Sequence, residues 1–354
     1  MSAPLYIKVK PQDNVAIAVH DIPQGTEVMP GIHANCDIPQ AHKIALQPIP
    51  KNEPIVRYGV VLGYAKDDIQ TGDWINEHMV ILPESPALDD MPYATHIVPK
   101  EELPEPTVTT WMGYKNEHGP AGTRNLLGIM TTVQCVAGVA KVAVERIKKE
   151  LLPKYPNVDG VVAVTHPYGC GVAINAPMAY IPIRSLHNII HHPNFGGEVM
   201  VLGLGCEKLT YERLMDPEDI TPENCLTIQE CHGHDEMMNQ IMAMAEKKLQ
   251  KLNQRKREPL PLSELVIGMQ CGGSDAFSGL TANPSAGYAA DMLVRGGGTV
   301  MFSEVTEVRD GVHMLAARCV NKEVRDRLAQ EMKWYDDYLD EGGVDRDANP
   351  TPGN

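Results

Sequence analysis

The chain runs to 354 residues, long enough for two or three domains and a sizeable core; 43% of it is hydrophobic but only 5% aromatic, so that core must be aliphatic, with 18 Met among its fillers. A net charge of −15 lacks the basic footprint that nucleic acid demands and disfavours an anionic membrane surface, which leaves small molecules as the expected partners. The eight Cys include no CxxC pair, so no zinc ribbon or thioredoxin motif is expected, and the start MSAPLYIKVKPQD has no signal-peptide core, so the expected location is cytoplasmic.

Along the first ninety-odd residues, DIPQG (21–25), DIPQA (37–41), PIPKN (48–52) and DIQTG (68–72) form a loose internal echo, each ahead of a short alternating run. Short strands punctuated by Pro and Gly turns predict a small all-β module, taken as residues 1–95. Residues 83–110 hold six prolines and a cluster of acids, too little apolar surface to fold alone. An extended linker is expected there, centred on 96–110. From Trp111 the texture changes. NLLGIMTTV, VDGVVAVTH, GEVMVLGLG, LVIGMQCGG and GTVMFSEV are the apolar, β-rich runs that a parallel sheet requires. Between them, VAGVAKVAVERIKKELL, the region near PIRSLHNII and DEMMNQIMAMAEKKLQKLNQRKRE read as helices, the last with a Met and Leu stripe that belongs in a core. Residues 126–144 are apolar enough to raise a membrane span, but Gln134, Lys141 and Gly138 break them into strand, turn and helix. The pattern predicts an α/β region over 111–354, divisible near residue 260, with its site at the C-terminal ends of the strands.

Four Cys obey one rule. Cys135, Cys170, Cys206 and Cys271 each fall at, or just beyond, the end of a predicted strand and before a helix. In one parallel sheet those ends share an edge, where thiols could converge on iron, an iron–sulfur cluster or zinc. The competing reading makes each a small buried hydrophobe. Groups suited to a carboxylate substrate accompany them: Arg124 and Asn125 before a strand, Glu207 and Lys208 beside Cys206, and the Gly272, Gly273, Ser274, Asp275 turn as an anion nest, unless its glycines only permit close packing.

The segments DNVAIAV, AHKIAL, GTRNLLGI, YGCGVAINAP, PNFGGEVMVLGLGCEK, MQCGGSDAFSGLTANPSAGYA, GTVMFSEVTEV and ANPTPGN carry a resemblance spanning nearly the whole chain. It resembles the altronate and galactarate dehydratase family. The resemblance implies a small β-clip (SAF-like) N-terminal domain, a linker and a Rossmann-like, mostly parallel α/β region, commonly in a homodimer. It also implies iron-dependent removal of water from a sugar acid, with galactarate giving 5-dehydro-4-deoxy-D-glucarate. Family chains continue past the NPxPGN segment, so the α/β region is expected to be incomplete here.

Dehydration of this kind begins with loss of a proton beside a carboxylate, and the resulting double charge calls for a cation and for a base near neutral pKa. His166 is the expected base or acid, with Lys208 second and Glu304, at another strand end, a further base or ligand. Arg124, Asn125, the 272–275 turn and His42 in the AHK segment would hold substrate. Cys135, Cys170, Cys206 and Cys271, with Glu207, would hold Fe(2+) as a single ion or a cluster. Two other readings stay open: a catalytically silent sugar-acid-binding module, and a metal-free lyase or isomerase whose Cys are core residues. An altronate-type substrate is the alternative within the family.

Overall fold

A computed structural model of the protein describes residues 4–272 and 277–344, the side chain of Glu307 excepted. Contacts divide it into two interleaved units, one of Met1–Glu105, Ile267–Arg295 and Val300–Asn354, the other of Pro106–Val266 with Gly296–Thr299. Each is described separately.

The first unit begins with an antiparallel β module. Tyr6–Ile7, Val15–Ala18, Lys43–Ala45 and Trp74–Ile75 make one sheet in that order, and Pro54–Arg57, Val60–Ala65 and Val80–Ile81 make another. The internal echo explains the build. Its four isoleucines pair, Ile22 with Ile38 and Ile49 with Ile69, and all four are buried. The Asp ahead of each isoleucine folds the partner's turn: Asp21 accepts from the amide of Gln40 at 2.7 Å, and Asp37 from that of Gln24 at 2.8 Å. In the second pair Asp68 accepts from the Lys51 amide at 2.8 Å, while Pro48 stands where the fourth Asp would be.

The proline-rich stretch has almost no regular structure, as expected, but it does not hang free. Leu88 and Met91 pack on the helices Val312–Ala316 and Lys322–Gly342, where Arg309 donates to the Pro86 carbonyl at 2.9 Å and pairs with Asp336 at 2.8 Å. The segment is a strap whose few apolar side chains find partners elsewhere in the chain.

The second unit holds the parallel sheet. Its elements are β1 (Leu126–Thr131), α1 (Ala137–Glu150), β2 (Gly160–Val164), α2 (Tyr180–Ile190), β3 (Val199–Gly203), α3 (Tyr211–Leu214), β4 (Cys225–Thr227) and α4 (His234–Leu252). The strand order is β2-β1-β3-β4, all parallel, which makes the gap beyond the ends of β1 and β3 the topological switch point. The strands alternate as a sheet covered on both faces must. Leu127 and Ile129 of β1 face α1 and the Met237, Met238, Ile241 stripe of α4, whereas Met130 faces the α2 side with Leu186, Ile190 and Phe195.

Two expectations change. β4 is short and only half-buried, and its three residues gave no sequence signal. The runs LVIGMQC and GTVMFSEV, expected in the same parallel sheet, pair with each other instead, as Val266–Met269 and Thr299–Phe302 in a separate two-stranded sheet. Cys271 therefore does not share an edge with Cys135, Cys170 and Cys206, because apolar runs announce strands without announcing their neighbours. No helix among the described residues is long and apolar enough to cross a membrane.

Candidate functional site at the switch point

Three loops leave the C-terminal ends of β1, β2 and β3, and each is tied to the other two. The Gln134 amide of the first donates to the Tyr168 carbonyl of the second at 2.9 Å, and the Lys208 amide of the third donates to the Cys170 carbonyl at 3.0 Å. The third tie is a hydrogen bond to a charged acceptor. Thr132, fully buried at the end of β1, donates its hydroxyl to the Glu207 carboxylate, which also accepts the amides of Leu204 at 2.8 Å and Gly205 at 2.6 Å. Burial opposes charge on Glu207, but the Thr132 hydroxyl and the amides around it prevail and hold the carboxyl below its ordinary range. Gly203 permits this approach, since a Cβ there would lie 2.9 Å from that carboxylate and 2.5 Å from the Tyr211 hydroxyl. Burial pushes Tyr211 itself up to about 12.

His166 stands at the centre of the second loop, 7% exposed. Its Nε2 donates to the Thr131 carbonyl at 3.1 Å, and its Nδ1 accepts the Tyr168 amide at 3.3 Å. Burial is the main influence on the ring and pushes its pKa down, against the backbone contacts at Thr131 and Thr132. Both nitrogens are thus engaged by the backbone, and the expected base has no lone pair turned to a substrate. Its visible work is to hold the loop that turns through Cys170, at a φ of 50°, into Gly171. Gly171 comes so close to the third loop that a Cβ would lie 2.8 Å from the Leu209 amide nitrogen.

Fixed in this way, the rim presents Cys135, Cys170, Cys206 and Lys208, all exposed. The three thiols follow the ends of three strands of one parallel sheet. Among the described residues one group of three or more His, Cys, Asp or Glu ligand atoms lies within 4.8 Å of each other, and it contains no Cys. Glu207, expected beside the four Cys, already accepts on both oxygens, from Leu204 and Gly205 of its own loop and from Thr132.

Arg124 and Asn125 are not at the rim. They precede β1, whose six residues, at about 3.3 Å each, set them about 20 Å from the switch point. Asn125 is fully buried, with its Nδ2 on the carbonyls of Asn157 (2.8 Å) and Leu252 (2.9 Å) and its Oδ1 accepting from Arg255 at 3.0 Å. That amide is consumed by the fold.

The remaining sequence-derived residues belong to the first unit. His42 accepts the Trp74 indole N–H on Nδ1 at 3.1 Å, with the rings edge to face. Glu304 accepts the Cys271 amide at 3.0 Å. Gly273, Ser274 and Asp275 lie outside the described residues. Sequence reasoning chose His42 and passed over its neighbour. Lys43 sits in an interior strand of the β module, where burial, then the nearby Arg57 charge, push its pKa down to about 8 against Glu77. The available signal was a Lys inside the alternating run HKIAL, an unusual place for an ammonium.

Comparison with known proteins agrees with this layout. The altronate/galactarate dehydratase SAF domain matches residues 4–83, the second domain of D-galactarate dehydratase/altronate hydrolase matches 113–253, and the D-galactarate/altronate dehydratase C-terminal domain matches 262–354. Galactarate dehydratase (L-threo-forming) of Escherichia coli (strain K12) is 57% identical, over 99% of this chain and 68% of its own length. The altronate dehydratases of Bacillus subtilis (strain 168) and Escherichia coli (strain K12) are 35% and 32% identical, each over 99% of this chain and over 69% and 70% of their lengths. With all three domain types in order and identity of this extent, the chain belongs to the D-galactarate/altronate dehydratase family.

Proposed function

We infer that the chain is a hydro-lyase that removes water from a sugar diacid, converting galactarate to 5-dehydro-4-deoxy-D-glucarate. The observation that carries this reading is the 57% identity with a galactarate dehydratase across 99% of the chain. The rim at the switch point supports it, because open parallel sheets bind ligands there. Lys208 offers a cation to a substrate carboxylate, with Cys135, Cys170 and Cys206 around it. His166 positions the second rim loop. Fe(2+), which the family resemblance implies, would stabilise carboxylate charge and assist loss of hydroxide. A cytoplasmic homodimer completes the reading, checked by cell fractionation and light scattering.

The deciding experiment is an anaerobic assay of this chain with galactarate, glucarate and altronate, each with and without added Fe(II). A keto-deoxy acid formed fastest from galactarate is the expected result. Preference for altronate would move the chain to the other branch of the family. No product from any acid, with galactarate still raising the melting temperature, would replace the hydro-lyase by a silent sugar-acid-binding protein.

A further inference from the structure

The one cluster of metal-ligating side chains among the described residues lies away from the rim. His187 and His191 are four apart at the end of α2 and so share a helix face. Asp216 follows α3, and one ligand atom from each of the three residues lies within 4.8 Å of the others. We propose that His187, His191 and Asp216 form a site for a borderline divalent ion such as Zn(II) or Co(II), separate from the residues that handle substrate.

The scaffold is fixed. Leu186 and Ile190 of α2 pack with Leu214 and Met215 in one buried cluster, so the two ligand-bearing segments are held together by their apolar neighbours. One histidine is also oriented. The Nδ1 of His187 lies 3.1 Å from the Leu214 carbonyl, which can only accept, so the lone pair of the neutral ring sits on Nε2. Metal-bound histidines are held in this way, by a carbonyl or carboxylate on the other nitrogen. The His191 Nε2 to Asp216 Oδ2 distance is 3.3 Å. Two ligands at about 2.0–2.1 Å from a tetrahedral ion stand about 3.4 Å apart, so this pair already spans one edge of such a site. The plain alternative is an ion pair of His191 with Asp216 alone, and the His187 ring, 4.9 Å from the His191 ring by centroid and edge to face, adds a third ligand beside that pair.

His191 and Met215 also line a cavity of about 630 Å³, so the site has an opening on its His191 side. Two imidazoles and a carboxylate suit zinc, cobalt or ferrous ions and include no thiolate, which gives the site a signature distinct from the rim. An ion here would clasp the end of α2 to the segment after α3.

The test is titration of tag-free protein with Zn(II) against a chromophoric chelator, and with Co(II) followed by visible absorption, for wild type, H191A and D216N. The side chains of His191 and Asp216 are 43% and 46% exposed, and D216N keeps the shape of the aspartate, so metal-free melting of the variants should match wild type. One equivalent should bind to wild type with ligand-field bands and no thiolate charge-transfer band, and at least about 10-fold more weakly to either variant. Equal affinity in all three proteins, or a single equivalent carrying thiolate bands, would overturn the site.

Discussion

At the N-terminal edge of the parallel sheet the residue just before every strand is polar, and each is clasped: Asn125 by Arg255 (3.0 Å), Asp159 by Arg257 (3.1 Å), and both Glu198 and Asn224 by Lys248 (2.9 and 2.7 Å). The three cations come from the end of α4 and the segment behind it, which explains the basic run in KKLQKLNQRKRE. At the C-terminal edge Thr132, His166 and Glu207 are also satisfied, but by loop backbone and by each other, while the buried Thr131 hydroxyl at the end of β1 has no hydrogen-bond partner among the described residues. What they leave outside is a row of exposed thiols and Lys208. One edge uses polar groups to close the sheet; the other uses them to shape loops whose outer faces stay available for chemistry.

Breaking the closed edge should have the largest effect. Lys248 is 2% exposed and holds two partners, so K248A should cost about 3 kcal/mol, read as a lower urea midpoint, by leaving Asn224 without its donor and Glu198 with only the more exposed Lys251 at 3.7 Å. Replacing Lys248 and Glu198 together with Met should recover most of that loss, since a matched apolar pair removes both charges at once. N125A follows at about 2 kcal/mol, because two backbone carbonyls and Arg255 lose their partner. Neither change should alter the KM of protein that remains folded.

The open edge should respond less in stability and more in pH dependence. T132V keeps the shape of the side chain and removes one donor to Glu207, a loss of about 1 kcal/mol. The Glu207 carboxyl lies below its ordinary 4.5 in the folded chain, so its stabilisation is in place above 4.5 and fades as pH falls toward its folded value. Acid unfolding of T132V followed by circular dichroism should lose part of that limb. An unchanged acid limb would mean that the backbone amides alone hold the carboxylate.

Much of this contrast was legible in the sequence. Strand and helix identity followed from the apolar runs, and strand direction in a parallel sheet assigns every residue before a strand to the closed edge. That rule alone places Arg124 and Asn125 away from the rim, and it was outweighed by the polar chemistry of GTRN. Other features were not legible. Whether Val266–Met269 joins the parallel sheet depends on long-range pairing, which periodicity does not encode. The engagement of His166 depends on loop carbonyls and amides, which every residue carries and no motif marks. The isoleucine pairing of the β module lies between these cases, since the echo was visible but the identity of its partners was not.

The smallest effect is expected at His166, and it discriminates most. A glutamine at this position can still donate from Nε2 to the Thr131 carbonyl, while the Tyr168 amide loses its Nδ1 acceptor. If His166 works by holding the loop, H166Q should lower kcat by about 5-fold or less, whereas removing a general base costs about 10²–10⁴-fold. The pH profile separates the roles further. Burial pushes the His166 pKa down, so a positioning ring stays neutral through the working range and adds no limb to the rate profile. A catalytic base at this position would instead add a limb to that profile. H166Q should therefore keep the wild-type profile, and a hundred-fold fall in kcat with a lost limb for the folded variant would make His166 the base.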